Sequence, residues 1–262
     1  MRALLAAEDL VYYADQAHVP YGDRSAAELE RLLAHNVAYL EGCGVDAIVM
    51  GCNTSCAIAA SRGWPRCSVP ILDLIAAAAD EVAHCGARRV GVIGTLATIR
   101  AGAYGDAIRQ RDPTIVVQEV AAPALVPLVE SGRHIGPLAR DAVAAACAQL
   151  NGPLDALVLA CTHYPLLDSH FAAILADVPR IDPAQAQARR AAAFVQQRAS
   201  TTLAPPLRAH GSGHIEYVTT GELEPYRRAV EAIVDAPRSH AGFATAAALQ
   251  LSSPDAAPLP VT

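Results

Sequence analysis

Lysine is absent from this chain of 262 residues, and all 20 of its basic residues are arginine. Without lysine the chain cannot form the usual Schiff base with pyridoxal phosphate, nor carry out lysine-dependent aldolase chemistry. It also lacks the lysine of a Walker A phosphate-binding loop. Any chemistry at an amino-acid α-carbon must therefore proceed without that electron sink, and we expect no cofactor.

Long apolar runs and an excess of positive charge are also missing. No stretch approaches the 18 apolar residues typical of a membrane-spanning helix, so we expect no membrane partner. The net charge of −6 favours neither nucleic acid nor an anionic membrane surface. The seven cysteines are an odd number. Without a signal-peptide pattern, they indicate a reducing, cytoplasmic location.

Two stretches of the chain match each other, residues 46–54 and residues 155–163. Each reads Asp-Ala, three large apolar residues, one small residue and then cysteine. Short apolar runs without alternation predict strands buried on both faces, as in parallel sheets. Ligands bind at the carboxyl ends of such strands in open α/β sheets. We therefore expect Cys52 and Cys161 to face one substrate from opposite sides.

The other five cysteines are predicted to be small apolar side chains: Cys43, Cys56, Cys67, Cys85 and Cys147. The spacing of Cys52 and Cys56 is a weak metal-binding pattern, because no second pair completes four ligands. We expect no metal.

The remaining sequence predicts strands that alternate with helices, and hence βαβ units with parallel sheets. Predicted strands lie at 10–14, 46–50, 69–72, 89–95, 114–120, 154–160, 178–182 and 214–219. Predicted helices include the end of one at 1–8 and those at 25–41, 73–85, 125–131, 137–150, 184–198 and 222–234. The fold class is α/β, with two pseudo-symmetric lobes, each a mainly parallel sheet flanked by helices, and the active site between the lobes.

The matched halves also predict the domain organisation. Residues 1–88 together with about 211–236 are expected to form the first lobe, and residues 89–210 the second. Alanine, proline and serine dominate from residue 237 without a clear period, which predicts a mobile tail over 237–262.

Two facing thiols can invert a carbon centre. A thiolate on one face of a carbon acid removes a proton, and a thiol on the other face returns one. Backbone N–H groups at helix starts bind a carboxylate, and Asn53, Thr54 and Thr162 offer hydrogen bonds to carboxylate or amino groups. His163 can take the proton of Cys161, as Cys–His pairs do; the alternative is that it caps the turn.

Several motifs of this chain resemble those of the cofactor-independent glutamate racemases of the aspartate/glutamate racemase superfamily. The resemblance covers roughly residues 4–234. The motifs that carry it are Cys52-Asn53-Thr54, Cys161 to Leu167, Val19-Pro20-Tyr21-Gly22, Gly91 to Ile99, Leu125 to Glu130 and Thr219-Thr220-Gly221-Glu222.

The resemblance implies Cys52 and Cys161 as the two bases and His163 as the helper of Cys161. It implies that the substrate is contacted by Tyr21, Gly22, Asn53, Thr54, Thr95, Thr162 and His163. The implied reaction supplies D-glutamate for peptidoglycan, and hence serves cell-wall synthesis and cell shape. A homodimer is a further expectation.

Two departures from the family pattern leave alternatives open. Family members begin with a strand ending in Asp-Ser-Gly, and we expect this chain to start after that segment, without its Asp and Ser. Ile181-Asp182-Pro183 also stands where the family usually has Ile-Asp-Ser. The alternatives are a racemase of aspartate or another small carbon acid, and an inactive relative that only binds a ligand or partner.

Overall fold

The structure, a computed structural model, describes residues 3–200, 213–234 and 241–250. Its helices are α1 (Ala26–Gly42), α2 (Asn53–Arg62), α3 (Leu74–His84), α4 (Leu96–Arg100), α5 (Ala103–Arg111), α6 (Leu125–Glu130), α7 (Pro137–Cys147), α8 (Asp168–Ile174), α9 (Pro183–Ser200) and α10 (Leu223–Ile233). Its strands are β1 (Leu10–Ala14), β2 (Ile48–Val49), β3 (Ile71–Leu72), β4 (Arg89–Gly94), β5 (Val116–Ala121), β6 (Ala156–Ala160), β7 (Arg180–Ile181), β8 (Ile215–Thr219) and β9 (Ala241–Thr245).

The chain forms two compact units. The larger comprises Met1–Glu8 and Pro20–Gly213, and the smaller comprises Asp9–Val19 and His214–Thr262. The larger unit holds a two-stranded sheet, β2-β3, and a four-stranded sheet in the order β5-β4-β6-β7, whereas the smaller holds β1-β8-β9. All the pairings are parallel, which confirms the predicted α/β class with parallel sheets flanked by helices.

The four-stranded sheet is buried on both faces, which explains why β6 lacks an alternating pattern. All five residues of β6 are buried. Val158 points to a cluster that includes residues of α3 and α5, and Leu157 and Leu159 point to a cluster with α7 and α8. Because both faces are covered by helices, every side chain of the strand is apolar.

The two-stranded sheet is shorter than predicted. β2 comprises only Ile48–Val49, paired with Ile71 and Leu72 of β3. After β2 the chain leaves the sheet and α2 begins at Asn53, with Cys52 as its N-cap. Both cysteines of the matched stretches lie in the larger unit. The division into lobes at residues 88 and 210 stays a prediction.

Two local predictions need correction. Residues 3–8 form turns rather than the end of a helix, with one hydrogen bond from the N–H of Glu8 to the carbonyl of Leu5 (3.1 Å). A helix this short needs tertiary packing to offset the cost of nucleation, and within residues 3–8 only Leu5 is buried. The tail prediction is wrong for Ala241–Thr245, which form β9 beside β8 because strand pairing satisfies their backbone groups. Residues 235–240 and 251–262 of that prediction lie outside the described residues.

Candidate active site

The two matched cysteines occupy strand ends of the two sheets in the larger unit. Cys52 is partly exposed at the start of α2, and Cys161 follows β6 directly and is 5% exposed. The pKa of Cys161 is raised to about 12, mainly by burial; backbone N–H groups of His163 and Tyr164 lower it in part, and the negative charges of the Cys52 thiolate and Glu130 add to the rise. Cys161 therefore carries its proton at neutral pH.

His163 links Cys161 to a carboxylate. Its Nδ1 lies 3.6 Å from the Cys161 sulfur, and its Nε2 lies 2.5 Å from Oε1 of Glu130, at the end of α6. His163 makes no side-chain capping bond to the short 3-10 helix Tyr164–Leu167 that follows it. Since Glu130 accepts from Nε2, the neutral imidazole keeps Nδ1 free to accept the thiol proton.

Three threonine hydroxyls form a buried triangle beside Cys52. Thr54 lies in the first turn of α2, Thr95 is the N-cap of α4, and Thr98 is one turn further along α4. The oxygen–oxygen distances are 3.1 Å for Thr54–Thr95, 3.3 Å for Thr54–Thr98 and 2.9 Å for Thr95–Thr98. The triangle joins the turn after β2 to the turn after β4.

The loop of Tyr21 and Gly22 packs against the same turn. The carbonyl of Gly22 accepts from the N–H of Ala97 at 3.3 Å, and a Cβ at Gly22 would lie 3.0 Å from the Thr95 Cβ. Asn36 of α1 donates to the Tyr21 hydroxyl at 3.0 Å. A side chain at position 22 would therefore crowd Thr95, which favours glycine there.

Asn53 and Thr162 complete the predicted set. Asn53 is 3% exposed, and its Oδ1 accepts a hydrogen bond from the hydroxyl of Tyr104 in α5. Thr162 is exposed between Cys161 and His163. In the part of the chain that the structure describes, no group of three or more His, Cys, Asp or Glu side chains is arranged to hold a metal ion.

Comparison with known proteins identifies the family. A model of the Asp/Glu/Hydantoin racemase family matches residues 2–191. The chain belongs to the Asp/Glu/Hydantoin racemase family. Its glutamate racemase relatives, 31–40% identical over most of the chain, show that it is an amino-acid racemase, an isomerase.

Individual relatives of this racemase agree with the family match. It is 35% identical to the glutamate racemase of Desulforudis audaxviator over 228 residues, which cover 86% of this chain and 84% of that protein. It is similar to the crystal structure of the Francisella tularensis glutamate racemase in complex with D-glutamate, with a TM-score of 0.79, 28% identity and coverage of 92% and 89% of the two chains. The Thermus thermophilus glutamate racemase in complex with beta-chloro-D-alanine gives a TM-score of 0.78 at 31% identity, with coverage of 94% and 90%.

Three residues that contact the site of this racemase were not predicted from its sequence as site residues. Glu130 ends the motif Leu125 to Glu130, but nothing in the sequence indicates that it contacts His163, 33 positions later. Thr98 could have been predicted, because it follows Thr95 by three residues, which is the spacing at which an N-cap hydroxyl accepts from a backbone N–H. Tyr104 had no sequence signal, because its contact with Asn53 joins two helices across 51 residues of sequence.

Proposed function

We propose that the chain interconverts L-glutamate and D-glutamate by proton transfer between two cysteines. The observation that carries this proposal is that Cys52 and Cys161 lie at matched strand ends, with the Cys161 thiol backed by His163 and Glu130. The named relatives, glutamate racemases that cover most of the chain, support glutamate as the substrate.

The two thiols account for both proton transfers of the proposed reaction. The Cys52 thiolate removes the α-proton from one face of the substrate, and the Cys161 thiol donates its own proton to the opposite face. The product is the other enantiomer, and the two sulfurs have exchanged protonation states. The raised pKa of Cys161, caused by burial, suits it to the role of acid in this direction.

His163 and Glu130 serve the opposite direction, in which Cys161 must act as the base. The imidazole Nδ1 accepts the thiol proton across the 3.6 Å contact, and the Glu130 carboxylate stabilises the imidazolium that results. This pair compensates for a thiol whose burial opposes its ionisation. His163 thus acts as helper of Cys161, and Glu130 as the group that holds His163.

The substrate's polar groups meet the remaining residues. The N-terminus of α2 and the side chains of Asn53 and Thr54 bind a carboxylate beside Cys52. Thr95 and the loop of Tyr21 and Gly22 line the same side, because they pack on one another. Thr162, with His163, contacts the substrate beside Cys161.

The proposed product indicates a cellular role. D-glutamate serves peptidoglycan synthesis, so we propose that the chain contributes to the cell wall and cell shape, in the cytoplasm and as a homodimer. None of the helices within the described residues is long and apolar enough to cross a membrane.

The experiment is to incubate the purified protein separately with L-glutamate, D-glutamate, L-aspartate and D-aspartate. The loss of ellipticity of each amino acid is followed by circular dichroism. We expect both glutamate enantiomers to reach the racemate, and aspartate to change far more slowly. Equal or faster conversion of aspartate would overturn glutamate as the substrate, and no conversion of either would overturn the activity.

A further inference from the structure

Tyr104 belongs to the core, yet its hydroxyl reaches the turn that carries Cys52. None of its surface is exposed. Its hydroxyl donates a hydrogen bond to Oδ1 of Asn53, the residue that follows Cys52. Burial, together with the nearby Cys56 and Asp73, keeps the pKa of Tyr104 well above its ordinary value. The hydroxyl therefore stays protonated and able to donate throughout the neutral range.

This contact decides which way the Asn53 amide points. An amide carries an acceptor oxygen on one side and an NH2 donor on the other, and the two orientations differ by a half-turn of the side chain. With the oxygen held by Tyr104, the NH2 group points away from that hydroxyl. Among the described residues, no acceptor makes a hydrogen bond with Nδ2 of Asn53, so its donors are available to a ligand.

We infer that Tyr104 is a positioning residue, whose hydroxyl aims the two N–H bonds of Asn53 at a carboxylate of the bound amino acid. The inference rests on the proposed function, which supplies that carboxylate. Without the hydroxyl, the amide can turn and present its oxygen to the carboxylate, and two acceptors repel each other. Tyr104 thereby favours an anionic group next to Cys52 without touching it.

Tyr104→Phe tests the inference, because it removes one oxygen and keeps the ring that packs in the core. We expect KM for glutamate to rise about tenfold, the size of one lost hydrogen bond to a charged group, with a much smaller change in kcat. The matched control is Tyr226→Phe, since the hydroxyl of this buried tyrosine has no hydrogen-bond partner among the described residues. The control is expected to leave KM unchanged.

A double-mutant cycle separates positioning from general damage. In an Asn53→Ala background there is no amide to orient, so Tyr104→Phe is expected to cause no further rise in KM. A structural role for Tyr104 would raise KM by the same factor in both backgrounds. That result, or an unchanged KM in Tyr104→Phe alone, would overturn the inference.

A measurement without substrate keeps this test separate from the proposed function. In ligand-free protein labelled with 15N-asparagine, the side-chain NH2 signal of Asn53 is the one lost in Asn53→Ala. We expect it to shift in Tyr104→Phe and not in Tyr226→Phe. A wild-type chain that leaves glutamate unchanged would overturn the proposed function, whereas an unmoved Asn53 signal would overturn the positioning role itself.

Discussion

At the scale of single residues, Cys161 and Cys52 have different surroundings although they occupy matched positions. Cys161 is almost completely buried and is assisted by an imidazole, while Cys52 is partly exposed at a helix start. Burial opposes ionisation of a thiol, and a neighbouring base favours it. In the proposed pair of thiols, only Cys161 therefore needs the assistance of His163 and Glu130.

Glu130→Gln tests this asymmetry. The variant keeps the size of the side chain and removes the charge that holds the imidazolium, so we expect kcat/KM to fall about 10- to 100-fold. The fall must be equal in both directions, because the enantiomers have equal free energies. The primary deuterium isotope effect is expected to rise only for the enantiomer whose α-proton Cys161 removes. Asp141→Asn on the exposed surface of α7 is the control; equal activity of the two variants would contradict this role.

A second prediction at this scale concerns stability at alkaline pH. Burial raises the pKa of Cys147 to about 11, against about 8.5 for an exposed thiol. The folded state therefore holds this proton more tightly than the unfolded state between these values, so its contribution is full below pH ~8.5 and lost as the pH rises to about 11. In urea unfolding, Cys147→Ala is expected to lose less free energy of unfolding between pH 8 and pH 10.5 than the wild type. Equal losses of unfolding free energy in the two proteins would contradict the raised pKa of Cys147.

At the scale of elements, the site is made where strands end and helices begin. Cys52 is the N-cap residue of α2, Thr95 is the N-cap residue of α4, and Cys161 directly follows β6. Backbone N–H groups at a helix start have no partner inside the helix. In the proposed mechanism the same turns therefore supply both the reacting thiols and the donors for the anionic substrate.

Thr95→Ala is expected to weaken both the helix start and the site. The variant loses the hydroxyl that accepts from the N–H of Thr98 at 3.3 Å and contacts Thr54 at 3.1 Å. Loss of a threonine N-cap costs about 0.5–2 kcal/mol of stability, and we expect KM for glutamate to rise. Thr95→Ser keeps the hydroxyl and is expected to restore both quantities. A serine variant as weak as the alanine variant would show that the methyl group, not the hydroxyl, matters.

The sequence predicted the elements of the site better than the contacts between them. The apolar run before Cys161 was recognisable because a strand buried on both faces excludes polar residues. β9 was not recognisable, because Ala241–Thr245 contains small residues and is held by pairing with β8. The contacts of Glu130 and Tyr104 depend on packing between distant elements, which no local pattern records.

At the scale of the whole molecule, the absence of lysine and the presence of two strand-end cysteines both favour proton transfer without a cofactor. We expect the purified protein to remain fully active after exhaustive chelation and to show no absorbance of a pyridoxal aldimine. The measurement is turnover of glutamate before and after chelation, with a spectrum of the same sample. Activity that returned only on addition of a metal ion or pyridoxal phosphate would contradict the cofactor-independent proposal.

The most direct test of the central claim is solvent deuterium exchange in Cys52→Ser and Cys161→Ser. Racemisation needs one base and one acid, so we expect both variants to lose interconversion of glutamate, while Cys43→Ser, at an exposed cysteine, keeps the wild-type rate. Each site variant retains one thiol, so each is expected to exchange the α-proton of only one enantiomer. The enantiomer that Cys52→Ser exchanges is expected to be the opposite of the one that Cys161→Ser exchanges. Racemisation near the wild-type rate in either variant, or exchange of the same enantiomer by both, would contradict two-cysteine proton transfer.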